Sequence, residues 1–227
     1  MEAYETSLDP ADAARLQAVL RTRIDLTNSL TTAPELVAGL DVSYEVGTQR
    51  TAAAAVLMEL QTLEIRETAI AYGEATFPYV PGLLAFREAP ILLEALEKLA
   101  ARPGVLVCDG YGIAHPRRFG LACHMGVLTG LPSFGVAKSP FGSAFDDPGP
   151  RRGEWAPLVE GGEMVGRVLR TQTGIKPVFV SVGHRIGLDQ ATDLTLTMSR
   201  QYRIPEAIRK ADFLSREALR KPPKRWV

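Results

Sequence analysis

An α/β fold built on a mixed sheet is what this chain predicts, and three features predict it. Period-two segments come early, helical and strand periods alternate later, and a β-branched strand, Val105 to Cys108, runs directly into a carboxylate and a glycine-rich turn. With 227 residues and 46% hydrophobic content, the chain can bury one sizeable core. A single domain over residues 1–227 is therefore expected, with an N-terminal helical segment within 1–34 and a long surface loop at 139–162.

The N-terminal helix is read over 11–28, where Ala14, Leu16, Val19, Leu20, Ile24 and Leu26 are interleaved with arginines and Pro34 closes the connection. Val37–Tyr44, Thr51–Leu60 and Leu63–Ala71 then read as an antiparallel three-strand meander, with Asp41 in the middle of its first strand. Thr76 to Leu84 holds two prolines and a glycine among aromatic residues and must be a stiff loop. A helix with Pro90 in its first turn follows, striped by Ile91, Leu92, Ala95, Leu96 and Leu99, which places Glu88 at the helix entrance. Beyond the Asp109 turn, Gly120–Thr129 reads as a helix of small residues and Ser133–Ala137 as a buried strand parallel to the one before it. Gly, Pro and charge make 139–162 a loop, Met164–Thr171 and Pro177–Val182 read as strands, and Asp189–Arg200 and Pro205–Arg220 as helices.

Composition narrows the function. The longest uninterrupted apolar run, Ala52–Met58, is too short to span a bilayer, so no membrane partner is expected. The first thirty residues carry Glu2, Glu5, Asp9 and Asp12 and no apolar segment of secretory type, which predicts a cytoplasmic protein. Two cysteines, Cys108 and Cys123, and three histidines make neither a disulfide framework nor a structural zinc site. Residues 1–113 carry 8 Lys/Arg against 16 Asp/Glu and residues 114–227 carry 18 against 10, so the halves stand at −8 and +8. That asymmetry suits an acidic metal-binding sheet beside a basic surface for a polyanion.

The chemistry concentrates at Asp109-Gly-Tyr-Gly-Ile-Ala-His115. A dinucleotide fingerprint would need a third glycine where His115 stands, and Asp109 would repel a pyrophosphate. A meander followed by helix, parallel strand, helix and strand is the order of a ribonuclease H-like domain. In that architecture the first strand and the strand after the meander's helix lie side by side, so Asp41 and Asp109 become neighbours and Glu88 joins them from the helix. Three carboxylates this close stay ionised only if a cation neutralises them, and hard oxygen ligands select Mg²⁺, with Mn²⁺ as a substitute. Asp212, on the stripe Ile208, Asp212, Leu219 of the last helix, is the fourth candidate.

From about Val37 to Asp212 the chain resembles the endonuclease V (deoxyinosine 3′-endonuclease) family. The resemblance rests on Gly39-Leu-Asp-Val-Ser43, Pro78-Tyr-Val-Pro-Gly-Leu-Leu-Ala-Phe-Arg-Glu88, Asp109 to Arg118, Gly135-Val-Ala-Lys138, Lys176 to His184 and Arg203-Ile-Pro-Glu206. It implies that Asp41, Glu88 and Asp109 are metal ligands, that Asp212 is an outer ligand or water-positioning base, and that Lys138 steadies the phosphate or the leaving oxygen. It also implies a strand-parting wedge at Pro78–Leu84 led by Tyr79, with a base pocket drawn from Gly82, Leu84, Gly110, Gly120, Leu121 and Gly135. His115 would position substrate, and Arg117 and Arg118, with Arg151 and Arg152 further along, would hold backbone phosphates. His184 matches a family Gly-His pair, His124 reads as structural, and Ala207 replaces a family proline, leaving the start of the last helix less rigidly set.

These readings together predict a metal-dependent endonuclease that recognises inosine in DNA or RNA. It would hydrolyse the second phosphodiester bond on the 3′ side and leave a 3′-hydroxyl and a 5′-phosphate, as in nucleic-acid repair. A structure-selective or ribonuclease H-type metal nuclease and a non-catalytic nucleic-acid-binding module are the rivals. A glycosidase using paired carboxylates is disfavoured, because three or four acids with a lysine exceed what that chemistry needs.

Overall fold

The computed structural model describes residues 9–142 and 144–222. Residues 1–8 of the N-terminal segment, Ser143 of the expected loop and residues 223–227 lie outside the described residues. The chain begins with α1 (Pro10–Arg21), then forms the meander β1 (Leu36–Tyr44), β2 (Arg50–Glu59) and β3 (Ile65–Glu74). Next come α2 (Leu84–Glu97), β4 (Val105–Asp109), α3 (Leu121–Thr129) and β5 (Ser133–Ala137). A hairpin of β6 (Trp155–Glu160) and β7 (Glu163–Leu169) leads to β8 (Val178–His184), α4 (Leu188–Met198) and α5 (Glu206–Arg220).

All eight strands join one sheet in the order β3-β2-β1-β4-β5-β8-β7-β6. The pairs β1–β4 and β4–β5 are parallel and the others are antiparallel, so the mixed sheet is the one expected. Strand alternation divides the core between two faces. Val37, Val105, Val107 and Phe134 pack with Leu194, Met198 and Ile208 from α4 and α5, whereas Ala38, Leu40, Leu106 and Cys108 pack with Leu92, Leu121 and Met125 from α2 and α3. Helix α5 presses close on the sheet: a Cβ on Gly39 would fall 2.3 Å from the backbone of Ala207. Ala207 is fully buried and Glu206 bonds Arg209 within the first turn, so the start of this helix is firmly seated, contrary to the looser start expected from the missing proline.

Three boundaries differ from expectation. Helix α1 stops at Arg21 rather than at residue 28: the N–H groups of Thr22, Arg23 and Ile24 bond the third carbonyl back, and the Asp25 backbone is taken by His184 and Arg185. Helix α2 begins at Leu84, so Pro90 sits inside it and Glu88 lies one turn in rather than at the entrance. An interior proline costs about 3 kcal/mol, which burial of Ala85, Phe86, Ala89, Ile91 and Leu92 outweighs. The third is the surface loop, whose second half is strand β6. Gly161 and Gly162 take φ of 63° and 81°, the left-handed pair that a two-residue hairpin needs, and set Glu160 opposite Glu163.

Candidate active site

Register builds the acidic end of the sheet. Leu40 pairs with Cys108 across the parallel β1–β4 ladder, so the next residues, Asp41 and Asp109, emerge side by side. Val136 stands opposite Asp109 on β5, and Lys138 follows the end of that strand. Glu88 approaches from α2 and Asp212 from α5.

These groups act on one another electrostatically. Burial, reinforced by the charges of Asp109 and Asp212, pushes the Asp41 carboxyl up to about 7. Burial likewise pushes Glu88 up to about 8 against a hydrogen bond from Tyr44, with Asp41 and Asp109 adding to the rise. Lys138 Nζ lies 2.5 Å from Asp109 Oδ2. Burial works against the lysine's charge, yet its bond to Asp109 and the nearby charges of Asp109, Asp41 and Asp212 hold the ammonium above its usual range. Asp212 pairs at 2.7 Å with Arg216 on its own helix.

Several supporting groups have no signal in the residue pattern. Tyr44 donates to Glu88 Oε1 at 3.1 Å, and the Arg87 guanidinium covers the Tyr44 ring at 4.9 Å while also reaching the Phe77 carbonyl. Ser215 reaches Asp41 Oδ2 at 3.3 Å and pairs with Ser43 at 2.7 Å, both serines being buried where α5 meets β1. Arg203, three residues ahead of α5, donates to the Lys138 carbonyl at 2.5 Å and to the Pro177 carbonyl at 2.8 Å, fixing the lysine's backbone.

Among the described residues, no three His, Cys, Asp or Glu side chains are gathered into a finished metal cage. The donor set nevertheless suits a hard divalent cation. It offers carboxylate oxygens only, and burial first, with the neighbouring acids adding to it, pushes two of them toward protonation.

Asp109 also belongs to a small cleft of about 90 Å³, well under the ~300–1,000 Å³ of pockets that enclose drug-sized ligands. Of the residues expected to form a base pocket, Gly82, Leu84, Gly110, Gly120 and Leu121 line it, and His115 lines it too. The N-terminus of α3 borders it; its cap Gly120 supplies no side-chain hydrogen bond, and the Ala122 N–H of the first turn bonds the Tyr111 carbonyl at 3.0 Å. Gly82 takes φ +83°. Tyr79, in the same loop as Gly82, is 71% exposed between Pro78 and Pro81. Gln17, Tyr111, Phe119 and Phe141 complete the lining and were not expected from the sequence.

Other expected residues stand elsewhere. Gly135 does not line the cleft; a Cβ there would meet the Gly110 carbonyl at 2.4 Å, so its role is to let the Asp109 turn sit on β5. Gly112 is pressed against the Val182 carbonyl of β8. His115 is buried, and burial with Arg117 alongside lowers it to about 4. Arg117 is exposed beside the cleft, whereas Arg118 spends its guanidinium on Glu163 and on the Glu160 carbonyl of the hairpin. Arg152 holds the carbonyls of Thr171, Leu196 and Ser199, and Arg151 pairs with Glu154. His184 pairs with Ser133 at the opposite end of the sheet, where its Nδ1 accepts from the Asp25 backbone. His124 is fully buried between the Phe86 and Phe119 rings.

Comparison with known proteins gives these features a context. A family model described as Endonuclease V matches residues 18–213. Endonuclease V of Nocardia farcinica is 52% identical over 209 residues, 92% of each chain. That of Streptomyces avermitilis is 58% identical over 184 residues, 81% of this chain and 80% of the relative. The crystal structure of the Streptomyces avermitilis protein superposes with a TM-score of 0.92 at 52% identity, covering 96% of both chains. Endonuclease V of Ciona intestinalis, in complex with a 24mer DNA containing an inosine followed by a ribo-adenosine, matches with a TM-score of 0.82 at 26% identity over 94% of this chain and 98% of that one. The fold shared with these structures is ribonuclease H-like.

Proposed function

Because the chain belongs to the endonuclease V family, a nuclease family acting on phosphodiester bonds, we propose that it recognises inosine in nucleic acid and, with a divalent metal, hydrolyses the second phosphodiester bond 3′ to it. The observation that supports this best is that Asp109 belongs at once to the acidic cluster and to the small cleft, so base capture and bond cleavage would meet at one side chain.

Asp41, Glu88 and Asp109 would hold the cation, Mg²⁺ or Mn²⁺, with Asp212 beside them. When bound, it supplies charge neutralisation at the scissile phosphate and activates water for attack. Lys138, charged and anchored through its own backbone, presents an ammonium toward the same phosphate. Tyr44 and Ser215 orient Glu88 and Asp41 by hydrogen bonds. Tyr79 stacks where the altered base leaves the duplex, and the prolines flanking it limit the entropy lost. The base enters among Gly82, Leu84, Gly110, Gly120 and Leu121, where main-chain groups rather than charges would read its edge. A base whose edge mismatched those groups would leave them unpaired, which is the source of discrimination. The hydrolysis leaves a 3′-hydroxyl and a 5′-phosphate, the product of a repair nuclease.

The test is cleavage of end-labelled DNA and RNA strands with and without inosine, in Mg²⁺ and in EDTA. A single Mg²⁺-dependent cut at the second bond 3′ to inosine supports the reading and ranks DNA against RNA. Equal cutting of inosine-free strands would point to a structure-selective nuclease, and binding without cutting to a binding module.

A further inference from the structure

Helix α1 lies outside the strand-and-helix core that carries the acids, yet it sends one polar side chain inward. Gln17 is 2% exposed and lines the cleft. Its Nε2 donates to the Gly82 carbonyl at 3.0 Å and to the Phe119 carbonyl at 3.0 Å, while its Oε1 accepts from Arg117 at 3.1 Å. Both amide N–H groups and the oxygen are thereby used, and the partners come from two segments, Gly82 from the wedge loop and Arg117 and Phe119 from the connection ahead of α3. Gly82 ends the Pro78–Gly82 loop, Phe119 precedes the cap of α3, and Arg117 flanks His115.

His115 braces the same point. Its Nδ1 accepts from the Arg117 backbone N–H at 3.1 Å, which leaves the proton on Nε2, and the Gly82 carbonyl is the imidazole's other partner. Gly82 is thus gripped by α1 and by the 115–118 turn together.

We propose that Gln17 is a positioning residue for the base cleft: it fastens the wedge loop to the opposite wall and so sets the width of the slot before substrate arrives. The inference deepens the inosine-recognition reading and rests on it for its consequence. A residue one place ahead of the family-matched span thereby shapes recognition, although it touches none of the acids. Without the clamp, the carbonyls of Gly82 and Phe119 lose their shared donor and the His115 contact alone still ties Gly82 to the 115–118 turn, which costs preorganisation rather than chemistry.

Q17L keeps the bulk and removes all three bonds, whereas Q17E keeps the acceptor for Arg117 but faces two carbonyls with a carboxylate. Two readouts on the intact chain test the role. The first, hydrogen exchange, does not depend on substrate: amides 78–83 and 115–120 should exchange faster in both variants while the β1–β4–β5 strands stay protected. Unchanged exchange in these loops overturns the clamp. The second is cleavage kinetics on duplex inosine DNA under conditions where both variants are folded: KM should rise about tenfold or more with kcat held within about twofold. An unchanged KM, or a fall in kcat alone, overturns the positioning role. Wild-type protein blind to inosine would instead remove the reading beneath it, leaving the exchange result to judge the clamp.

Discussion

Lys138 Nζ stands 2.5 Å from Asp109 Oδ2 at the adjoining ends of two parallel strands, so the lysine's position is tied to the same carboxylate that lines the cleft. The contact is half exposed and adds little to stability. Its value is placement of a charge. Lys138→Gln should lower single-turnover cleavage of inosine DNA by about 10²-fold or more, the scale for losing one preorganised electrostatic contact. Substrate affinity and melting temperature should barely move. A loss confined to affinity would show that Lys138 binds the strand rather than serving the reaction.

The acids predict how metal and pH act together. In the folded protein Asp41 and Glu88 titrate near 7 and 8, above their ordinary 3.8 and 4.5. A raised carboxyl pKa favours folding at low pH and removes that advantage as pH climbs through the folded value. In EDTA, the melting temperature should therefore decline as pH rises toward about 8 and level off above it. Addition of Mg²⁺ should restore it, and by a margin that widens with pH. Asp41→Asn should abolish cleavage yet raise the EDTA melting temperature at pH 8, since it removes a buried charge from a like-charged cluster. A pH-independent Mg²⁺ effect would detach metal binding from these carboxylates.

At acid pH the histidines dominate. His124, fully buried, is held at about 3 and His115 at about 4, both below the ordinary 6.5 and both principally by burial. A depressed histidine pKa supports the fold in full above 6.5 and loses that support as pH falls. For His124 alone the loss by pH 4 is about 3 kcal/mol. His124→Phe, which keeps an aromatic between Phe86 and Phe119, should flatten the acid limb of a urea-denaturation series between pH 6.5 and 4. An unchanged limb would assign it to other groups.

Tyr79 gives a sharper functional contrast. At 71% exposure it contributes little to the fold. Stacking on one base is worth ~1–3 kcal/mol, so Tyr79→Ala should weaken cleavage of duplex inosine roughly tenfold and leave the melting temperature in place. On an inosine already unstacked in a bubble or single strand the loss should shrink. Equal loss on both substrates would make Tyr79 part of the pocket rather than a wedge.

What could be read in advance follows from how local each signal is. Asp41 and Asp109 were legible because strand period and element order alone bring the ends of β1 and β4 together. Strand β6 was hidden: Pro157 in its middle and the Gly- and Pro-rich stretch before it mask it, and only the Gly161–Gly162 turn betrays the hairpin. The start of α2 was misplaced because Pro90 marks a helix start locally, while burial of Phe86 and Glu88 is decided by the sheet. Gln17 was illegible, since its carbonyl partners lie 65 and 102 residues away and glutamine on a helix has no pattern of its own. Gly135 was assigned to the right region for the wrong reason.

That reassignment yields a further test. At Gly135 the obstacle to a side chain is backbone, with the Gly110 carbonyl at 2.4 Å and Gly112 N at 2.9 Å from an added Cβ. Neither can yield without moving the turn that carries Asp109. Gly135→Ala should therefore destabilise the protein by about 1–3 kcal/mol, as overpacking does, and also lower kcat by displacing the carboxylate. Gly142→Ala is the counterpart: an added Cβ there meets nothing within 4 Å, and only the strain of φ +80° remains. It should cost a similar or smaller amount of stability and leave kcat alone. A Gly135→Ala protein with native kcat would show that the Asp109 turn can relax without disturbing the site.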